Sequence, residues 1–276
     1  MSISVHTNFS SMVAQNNLSK TNTMLSGSME RLGTGYRINS SSDDAAGLQI
    51  ANRLNAQTRG MGVAISNSQD AINMLQTGDS SLDEVNSIAL RMKDLATQAS
   101  NDTNSTDDRS AMDDEYQELK SEIGRIMTQT TYGGEALLEG GKLAGPVNFQ
   151  IGASAAETLT FDANVEMAAI AGGYAGVGVL DTQVNSNLEI TKINTFIDQV
   201  GAGRSKMGAN INRLDHTINN LESVSQNTEA AFGRIMDADF AAESANMTKQ
   251  QMLMQSGISV LGKSNQVTGM VASLLR

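Results

Sequence analysis

The chain has 276 residues, with 30 acidic and 19 basic side chains and a formal net charge of −11. Nucleic acid and anionic lipid are bound by clustered Lys and Arg, so we expect this acidic chain to bind neither. The chain has no cysteine and two histidines. This composition excludes disulfides, thiolate chemistry and metal sites built from several histidines. Only 4% of the residues are aromatic, which disfavours an enzyme core and favours a long helical structural protein without catalytic residues, metal or cofactor.

The first residues, MSISVHTNFSSMVAQ, have no basic start and no continuous apolar run. This is not the pattern of a cleavable secretory signal. No stretch of the chain reaches the roughly 18 apolar residues of a membrane span. We therefore expect no membrane insertion, and any secretion would follow a route that reads no standard signal.

Apolar stripes predict an N-terminal arm of long helices. Leucines recur every seven residues over 18–32, which is a helical spacing. We interpret Gly78 as a shift in the phase of the following stripe. A polar break over 101–109 precedes a shorter helix predicted over about 110–129. The stripe after residue 50 consists of Leu54, Met61, Ile65, Ile72, Leu75, Leu82, Val85, Ile88, Met92 and Leu95.

A glycine-rich segment over about 131–182 separates this arm from the rest of the chain and contains the single proline. Within it, VNFQIGA (147–153) and ETLTF (157–161) predict two short strands around a turn. We expect a small β-hairpin region that caps the helices. About 50 residues are too few for a catalytic domain.

The C-terminal arm carries an apolar seam in which spacings of three and four residues alternate without a slip. Such a heptad pattern is typical of coiled-coil packing. The sequence predicts a mainly α fold, an antiparallel rod of long helices with a small β-hairpin region in the middle of the chain. The seam consists of Ile190, Ile193, Ile197, Val200, Arg204, Met207, Ile211, Leu214, Ile218, Leu221, Ser225, Thr228, Phe232 and Ile235.

Three other features invite a chemical interpretation that their context disfavours. GISVLGKS (257–264) matches a phosphate-binding loop, but helical spacing precedes it and only twelve residues follow, so we expect an ordinary helix. The acids from Asp102 onward lack the glycine and glutamate of a calcium loop and are interpreted as the solvated start of a helix. His216 follows Asp215 in the seam helix and is interpreted as a surface histidine.

Two distant stretches closely resemble the bacterial flagellin family. They are LGTGYRINSSSDDAAGLQIANRL (32–54) and GRIMDADFAAESANMTKQQMLMQSG (233–257), and FQIGA (149–153) resembles the short central strand of the family. The chain is similar to short flagellins that lack the large variable outer domains, and it departs from the family pattern around 262–264 and 268–269. The signature and assembly positions that the resemblance assigns are Leu32, Arg37, Ile38, Asn39, Asp43, Asp44, Arg234, Asp237, Asp239, Asn246, Leu274 and Leu275.

The resemblance implies a structural subunit that self-assembles head to tail into the extracellular flagellar filament used for motility. It further implies export as an unfolded chain by the flagellar type III apparatus, with an export chaperone, junction proteins and cap proteins as partners besides the chain itself. Residues 1–45 and 236–276 would form the inner terminal coiled-coil domain. Residues 46–235 would form the surrounding helical rod, with the hairpin region at about 131–182.

Both terminal arms have apolar stripes interrupted by polar side chains such as Asn16 and Gln255. Arms of this kind bury too little surface alone to offset chain entropy of about 1–2 kcal/mol per residue. We predict that they are mobile in the monomer and fold against neighbouring copies. Two alternatives remain open, a hook–filament junction protein and another self-associating coiled-coil protein.

The resemblance also implies that the chain is a ligand of an innate immune Toll-like receptor. The positions that match are Arg91, Leu95 and Glu115. A seam or surface role within the rod would explain the same residues equally well.

Overall fold

A computed structural model describes residues 7–274 of the chain, and the side chains of 7–266. The helices are α1 (Phe9–Thr34), α2 (Ala45–Ala99), α3 (Thr106–Gln129), α4 (Asn164–Ala175), α5 (Gln183–Met236) and α6 (Phe240–Leu274). The strands are β1 (Thr131–Tyr132), β2 (Glu135–Ala136), β3 (Val147–Gln150) and β4 (Thr158–Phe161). The predicted class, mainly α with long helices and small hairpins in the middle of the chain, is confirmed.

The chain divides into two compact units. The terminal unit comprises the residues up to Ala56 and those from Asn227 onward, and the central unit comprises Gln57–Gln226. The predicted division at residues 45 and 236 concerns layers of a filament, and it stays a prediction.

In the terminal unit, α1 and α6 pack antiparallel. Near the start of α1, the Asn8 side chain donates to the Ser264 carbonyl at 3.2 Å, and its own oxygen caps the helix by accepting from the Ser11 N–H. At the other end, Gly35 terminates α1 with a left-handed φ of 77°, which glycine adopts without steric cost.

Residues 257–264 lie inside α6, so the interpretation of the phosphate-loop pattern as a helix is confirmed.

One face of α2 forms a buried seam in the central unit, and its spacings of three and four residues alternate without a slip. The predicted phase shift at Gly78 is therefore wrong. Alanine, serine and glycine occupy many seam positions, and large apolar residues alone do not reveal the pattern. A Cβ on Gly78 would lie 3.1 Å from Leu143 and 3.3 Å from Met207, so the glycine permits close packing. The seam positions are Met61, Ala64, Ser68, Ala71, Leu75, Gly78, Leu82, Val85, Ala89, Met92, Ala96 and Ala99, and Met74, Ile88 and Leu95, each one residue before a seam position, are buried beside them.

The α5 seam is confirmed, because each of its predicted members is buried or half-buried. The charged member, Arg204, donates its Nε to Asp79 of α2 at 2.9 Å and also pairs with Asp83. A long charged side chain at a seam position thus bridges two helices by its head group while its stem packs between them.

The middle segment is part of the central core. Strands β3 and β4 pair antiparallel, as predicted. The expectation that this segment caps the helices is wrong, because its contacts spread along both long helices. A Cβ on Gly60 would lie 2.8 Å from Ala153, and Glu166 of α4 pairs with Lys206 of α5 at 2.8 Å. Helix α4 was not predicted, since its many glycines and alanines obscure a helical stripe.

Helix α3 begins four residues before the predicted start of about 110. The reason is a capping box, in which the Ser105 hydroxyl accepts from the Asp108 N–H and the Asp108 carboxylate accepts from the Ser105 N–H. The Ser105 hydroxyl also donates to this carboxylate, and the two hydrogen bonds lower the pKa of Asp108. Acidic residues therefore mark the start of this helix, as expected.

A buried carboxylate joins α3 and α5. The Glu189 side chain accepts from the Tyr116 hydroxyl at 3.2 Å, from the Gly178 N–H at 2.8 Å and from Lys192 Nζ at 2.7 Å. Burial, and then the negative charge of Glu189, strongly raise the pKa of Tyr116. These bonds satisfy a charge that would otherwise be costly to bury.

Candidate assembly and receptor-binding surfaces

The connection between α1 and α2 lies against the connection between α5 and α6. The Arg37 N–H donates to the Met236 carbonyl at 2.6 Å, and the Ala238 N–H donates to the Gly35 carbonyl at 2.9 Å. Backbone hydrogen bonds thus hold two stretches together that are about 200 residues apart in sequence. We call this part of the terminal unit the junction.

The centre of the junction is an apolar cluster. Ile38 is 2% exposed and packs with Ala51 and Met236, and Leu48, Phe232 and Ile235 surround these three. The rings of Tyr36 and Phe232 meet edge to face with centroids 6.4 Å apart, an arrangement that aromatic pairs favour.

The Arg37 side chain caps the C-terminal end of α5. Its Nη2 donates to the Ile235 carbonyl at 2.8 Å. Carbonyls in the last turn of a helix have no partner within the helix, and a cation there is favoured by the helix dipole. The guanidinium group of a signature residue on one connection therefore stabilises the helix that leads into the other connection.

The signature aspartates arrange the backbone of the junction. Asp43 Oδ2 accepts from the N–H groups of Asn39 and Ser40 at 3.1 and 2.9 Å. Backbone and hydroxyl hydrogen bonds from Ser40 are the main causes that lower the pKa of Asp43. Asp44 accepts from the Gly47 N–H at 2.8 Å, at the start of α2.

The start of α6 has an equivalent cap. Asp239 Oδ1 accepts from the N–H groups of Ala241 and Ala242 at 2.9 and 3.1 Å. Asp237 forms an isolated antiparallel bridge with Tyr36. Carboxylates that accept from the first N–H groups of a helix satisfy groups that would otherwise lack a partner.

The structure thus brings seven of the assigned signature residues into the junction: Arg37, Ile38, Asn39, Asp43, Asp44, Asp237 and Asp239. Leu32 is half-buried on α1, whereas Arg234 and Asn246 are exposed on α5 and α6. Leu274 is the last residue of α6, but its side chain and the whole of Leu275 lie outside the described residues.

Sequence reasoning missed the apolar partners of Ile38 at the junction. Met236 and the Tyr36–Phe232 ring pair complete this cluster. The available signal was Phe232, an aromatic residue at the end of the seam opposite a tyrosine in the first signature stretch.

The paired α1 and α6 helices carry an uncovered apolar surface. On α1 the buried residues are only Ser11, Leu25 and Ser28, and no residue of α6 up to 266 is buried. Phe9 is 75% exposed. This surface, which we call the terminal apolar face, comprises Phe9, Met12, Val13, Met24, Met29, Phe240, Met252, Leu253, Ile258 and Val260.

The receptor candidates separate into two environments. Arg91 donates from Nε and Nη2 to Glu115 Oε1 at 2.9 and 2.7 Å, and both side chains are about half exposed. Leu95 is 3% exposed and belongs to the core of the central unit. Leu95 thus supports the helix from within, and only Arg91 and Glu115 are on the surface.

Within residues 7–266, no group of three or more metal-type side chains is placed to hold an ion. In the same range, no helix has the length and apolar character needed to cross a membrane.

Two family models match this chain. One describes the bacterial flagellin N-terminal helical region and matches residues 5–142. The other describes the bacterial flagellin C-terminal helical region and matches residues 190–275. Together they contain both signature stretches, the whole of α1, α2, α3 and α6, and α5 from residue 190 onward.

Curated relatives match over nearly the whole chain. A flagellin of Halalkalibacterium halodurans is 39% identical over 90% of both chains. Flagellin A of Vibrio anguillarum is 34% identical in an alignment of 383 positions that spans both chains completely. Since this chain has 276 residues, the Vibrio protein carries sequence that this chain lacks, in agreement with a short form.

Solved structures share the fold. The crystal structure of Bacillus cereus flagellin superposes with a TM-score of 0.51 at 34% identity and covers 60% of this chain and 94% of that chain. A putative flagellar hook-associated protein from Vibrio parahaemolyticus superposes with a TM-score of 0.57 over 71% of this chain. Its 14% identity shows a shared fold alone.

Proposed function

The chain belongs to the bacterial flagellin family and is a structural subunit of the extracellular flagellar filament, and we propose that it polymerises head to tail through its two terminal helices. The observation that supports this assignment is the terminal apolar face. Ten large apolar side chains of α1 and α6 are exposed to water, and a concentration of exposed apolar side chains indicates a site of protein association.

Growth into a filament needs a contact between different surfaces of identical subunits, because such contacts do not close. We place residues 1–45 and 236–276 in the inner layer of the filament and 46–235 around them. The terminal apolar face contains several methionines, whose flexible side chains adapt to irregular neighbours. Copies packed against this face would supply the surface that each terminal pair lacks.

Export and assembly would involve the partners that the family implies. A chain without cysteine forms no disulfide and suits passage as an unfolded polypeptide through the flagellar type III apparatus. An export chaperone, junction proteins and a cap protein would act before or during assembly.

Deletion of residues 236–276 tests the role of the terminal helices. We expect the truncated chain to remain soluble and helical, because the core of the central unit is left intact, but to form no filaments. Sedimentation and electron microscopy after seeding measure polymerisation, and circular dichroism measures folding. Filaments formed by the truncated chain would contradict the proposal.

A double substitution provides a matched test that keeps the whole chain. Ile258→Ser and Val260→Ser change two exposed members of the terminal apolar face, whereas Val184→Ser and Leu188→Ser change two exposed residues of α5 in the central unit. We expect the first pair to raise the critical concentration for polymerisation about tenfold or more, as expected for about 1.4 kcal/mol. If both double substitutions raised the critical concentration equally, this result would contradict a special role of the terminal helices in polymerisation.

Polymer shape distinguishes the two alternatives. A hook–filament junction protein would add to existing structures without forming long filaments of its own. A coiled-coil adaptor would form discrete symmetric dimers. Electron microscopy of the purified protein decides between these outcomes and the long tubes expected of a filament subunit.

Recognition by an innate immune Toll-like receptor is a second proposal, supported by the exposed Arg91–Glu115 pair. Arginine is enriched among residues that dominate binding energy at interfaces. We expect Arg91→Ala to weaken receptor binding about tenfold or more, whereas Lys142→Ala, which removes another exposed ion pair with Glu135, should have little effect. Equal binding of both variants and the unmodified protein would exclude Arg91 from the contact.

A further inference from the structure

The methionines of this chain form two groups that differ in their exposure to water. All but Met1 and Met270 of the sixteen methionines are among the residues whose side chains the structure describes. Within that part of the chain, exposed methionines occur only in the terminal apolar face, and the others are buried or half-buried. The exposed ones are Met12 at 57%, Met24 at 55%, Met29 at 49% and Met252 at 59%.

Methionine sulfur atoms of the central unit are shielded by the core. Met92 is 2% exposed, and Met127 and Met207 are fully buried. Met112 of α3 is half-buried and packs against the same core. Because oxidation follows exposure, an oxidant dissolved in water reaches the four methionines of the terminal apolar face more readily than those of the core.

The composition makes methionine the side chain on which a peroxide acts. The chain has no cysteine, so it lacks the thiol that a peroxide would otherwise oxidise. With hydrogen peroxide, a lone pair of the methionine sulfur attacks one oxygen, and an S–O bond forms as the O–O bond breaks. The proton of the attacked oxygen passes to the departing hydroxide, which leaves as water. The sulfur loses two electrons to the peroxide, and the product is methionine sulfoxide.

A sulfoxide changes what the terminal apolar face can pack against. Its oxygen accepts hydrogen bonds from water, and these are lost without replacement when an apolar surface of another copy covers it. In the monomer, the same oxygen stays in water and keeps these hydrogen bonds. Oxidation at these positions therefore acts on assembly and leaves the fold of the subunit intact.

We propose that Met12, Met24, Met29 and Met252 form a reversible oxidation site at which peroxide blocks entry of the free subunit into the filament. The inference rests on the proposed polymerisation through the terminal helices. Methionine sulfoxide reductases, one for each sulfoxide epimer, return the sulfur to its reduced form, with a thiol as the electron donor. Once other copies cover the face, the same sulfur atoms are shielded from peroxide.

Oxidation of the full-length monomer and of preformed filaments with hydrogen peroxide tests this site. Peptide mapping by mass spectrometry measures the oxygen gained at each methionine. In the monomer, we expect the four exposed methionines to oxidise at least about tenfold faster than Met92, and at least about tenfold faster than the same four in the filament.

Polymerisation of the oxidised monomer is then measured by sedimentation and electron microscopy. The oxidised monomer should keep its circular dichroism spectrum, but its critical concentration should rise about a hundredfold, because each covered sulfoxide loses its hydrogen bonds to water. Treatment with both reductases and a thiol should restore the critical concentration to within about threefold of the untreated protein.

A quadruple variant separates these four methionines from the rest of the chain. Leucine has a similar apolar volume, which is well tolerated, and has no sulfur. Met112→Leu, which removes a half-buried methionine of the central unit, is the control and should remain as sensitive to peroxide as the unmodified protein. The quadruple variant should form filaments both before and after peroxide treatment; its substitutions are Met12→Leu, Met24→Leu, Met29→Leu and Met252→Leu.

Loss of polymerisation on oxidation, recovery with the reductases and resistance of the quadruple variant together support the proposal. Normal polymerisation of the oxidised protein, equal oxidation of exposed and buried methionines, equal oxidation of monomer and filament, absence of recovery, or sensitivity of the quadruple variant would each overturn it and leave the filament function intact. If the quadruple variant forms no filaments before treatment, recovery of the unmodified protein with the reductases decides. Failure of the untreated, unmodified protein to polymerise would instead contradict the proposed function itself.

Discussion

The terminal and central units both contain long helices, but they differ in how much of their apolar surface they bury. The central unit buries one large cluster of side chains contributed by all its helices and by the middle segment. In the terminal unit, the buried apolar cluster is small and lies at the junction, with Ile38, Ala51 and Met236 at its centre. The paired helices beyond the junction leave their largest apolar side chains in water.

This difference indicates two sources of stability. Burial of apolar surface contributes roughly 25 cal/mol per Å², and the central unit obtains it within one chain. The terminal helices obtain less of it alone, so their stability depends on whatever covers the terminal apolar face. The prediction that these arms are mobile in the monomer follows from the same shortage of burial, and hydrogen exchange on monomer and filament would test it.

The largest expected contrast concerns leucines of the two units. Leu82 is fully buried, whereas Leu253 of α6 is 48% exposed. Leu82→Ala should lower the free energy of unfolding by about 3 kcal/mol, since it removes contacts and leaves a cavity. Leu253→Ala should lower it by less than about 0.5 kcal/mol in the monomer. Denaturant unfolding measures both, and equal losses would contradict the contrast.

Alkaline pH should weaken the central unit. Folding raises the pKa of Tyr116, so the folded state keeps a proton that the unfolded state releases above about pH 10. Stability contributed by the neutral phenol is therefore complete below pH 10 and falls above it by up to about 1.4 kcal/mol per pH unit. Burial likewise raises the pKa of Tyr174 to about 12.

Unfolding measured between pH 9 and 11 checks this prediction. Tyr116→Phe should unfold more easily at pH 9, because the Glu189 carboxylate loses a donor, but should show a shallower decline with pH. An unchanged slope in this variant would assign the alkaline effect to other groups.

Two glycines on one turn of α2 provide the smallest contrast. A Cβ on Gly60 would lie 2.8 Å from Ala153, whereas one on Gly62 meets nothing within 4 Å. Gly62→Ala should stabilise the protein by about 0.5–1 kcal/mol, because alanine favours the helix. Gly60→Ala should not stabilise the protein, because the added Cβ would clash with Ala153 in the hairpin turn. Thermal unfolding of the two variants measures the difference, and equal stabilisation would show that the turn yields freely.

Sequence periodicity predicted the long helices because their seams repeat at helical spacing. The α5 seam was recognised through large residues such as Ile193 and Leu214. In α2 the same periodicity was obscured by small residues, and Gly78 was misinterpreted although it occupies a seam position. Helix α4 was missed for the same reason, since it has few large side chains to mark a stripe.

The candidate sites were predicted unequally. The signature stretches identified Arg37 and Asp43, but not that their hydrogen bonds cap and order two connections. Leu95 was proposed as a receptor contact, yet its position on the buried face of α2 removes it from the surface. Contacts of this kind join residues that are distant in sequence, and one sequence without its tertiary structure does not reveal them.

The amino-acid sequence by itself determined that the arms on both sides of the glycine-rich segment are helical, where α3 begins and ends to within four residues, and which family the chain resembles. These properties depend on local spacing, on capping residues and on motifs. Tertiary structure alone decided how the two connections pair at the junction and which apolar side chains remain uncovered. These depend on which helix faces meet, and that outcome is set by the packing of the whole chain.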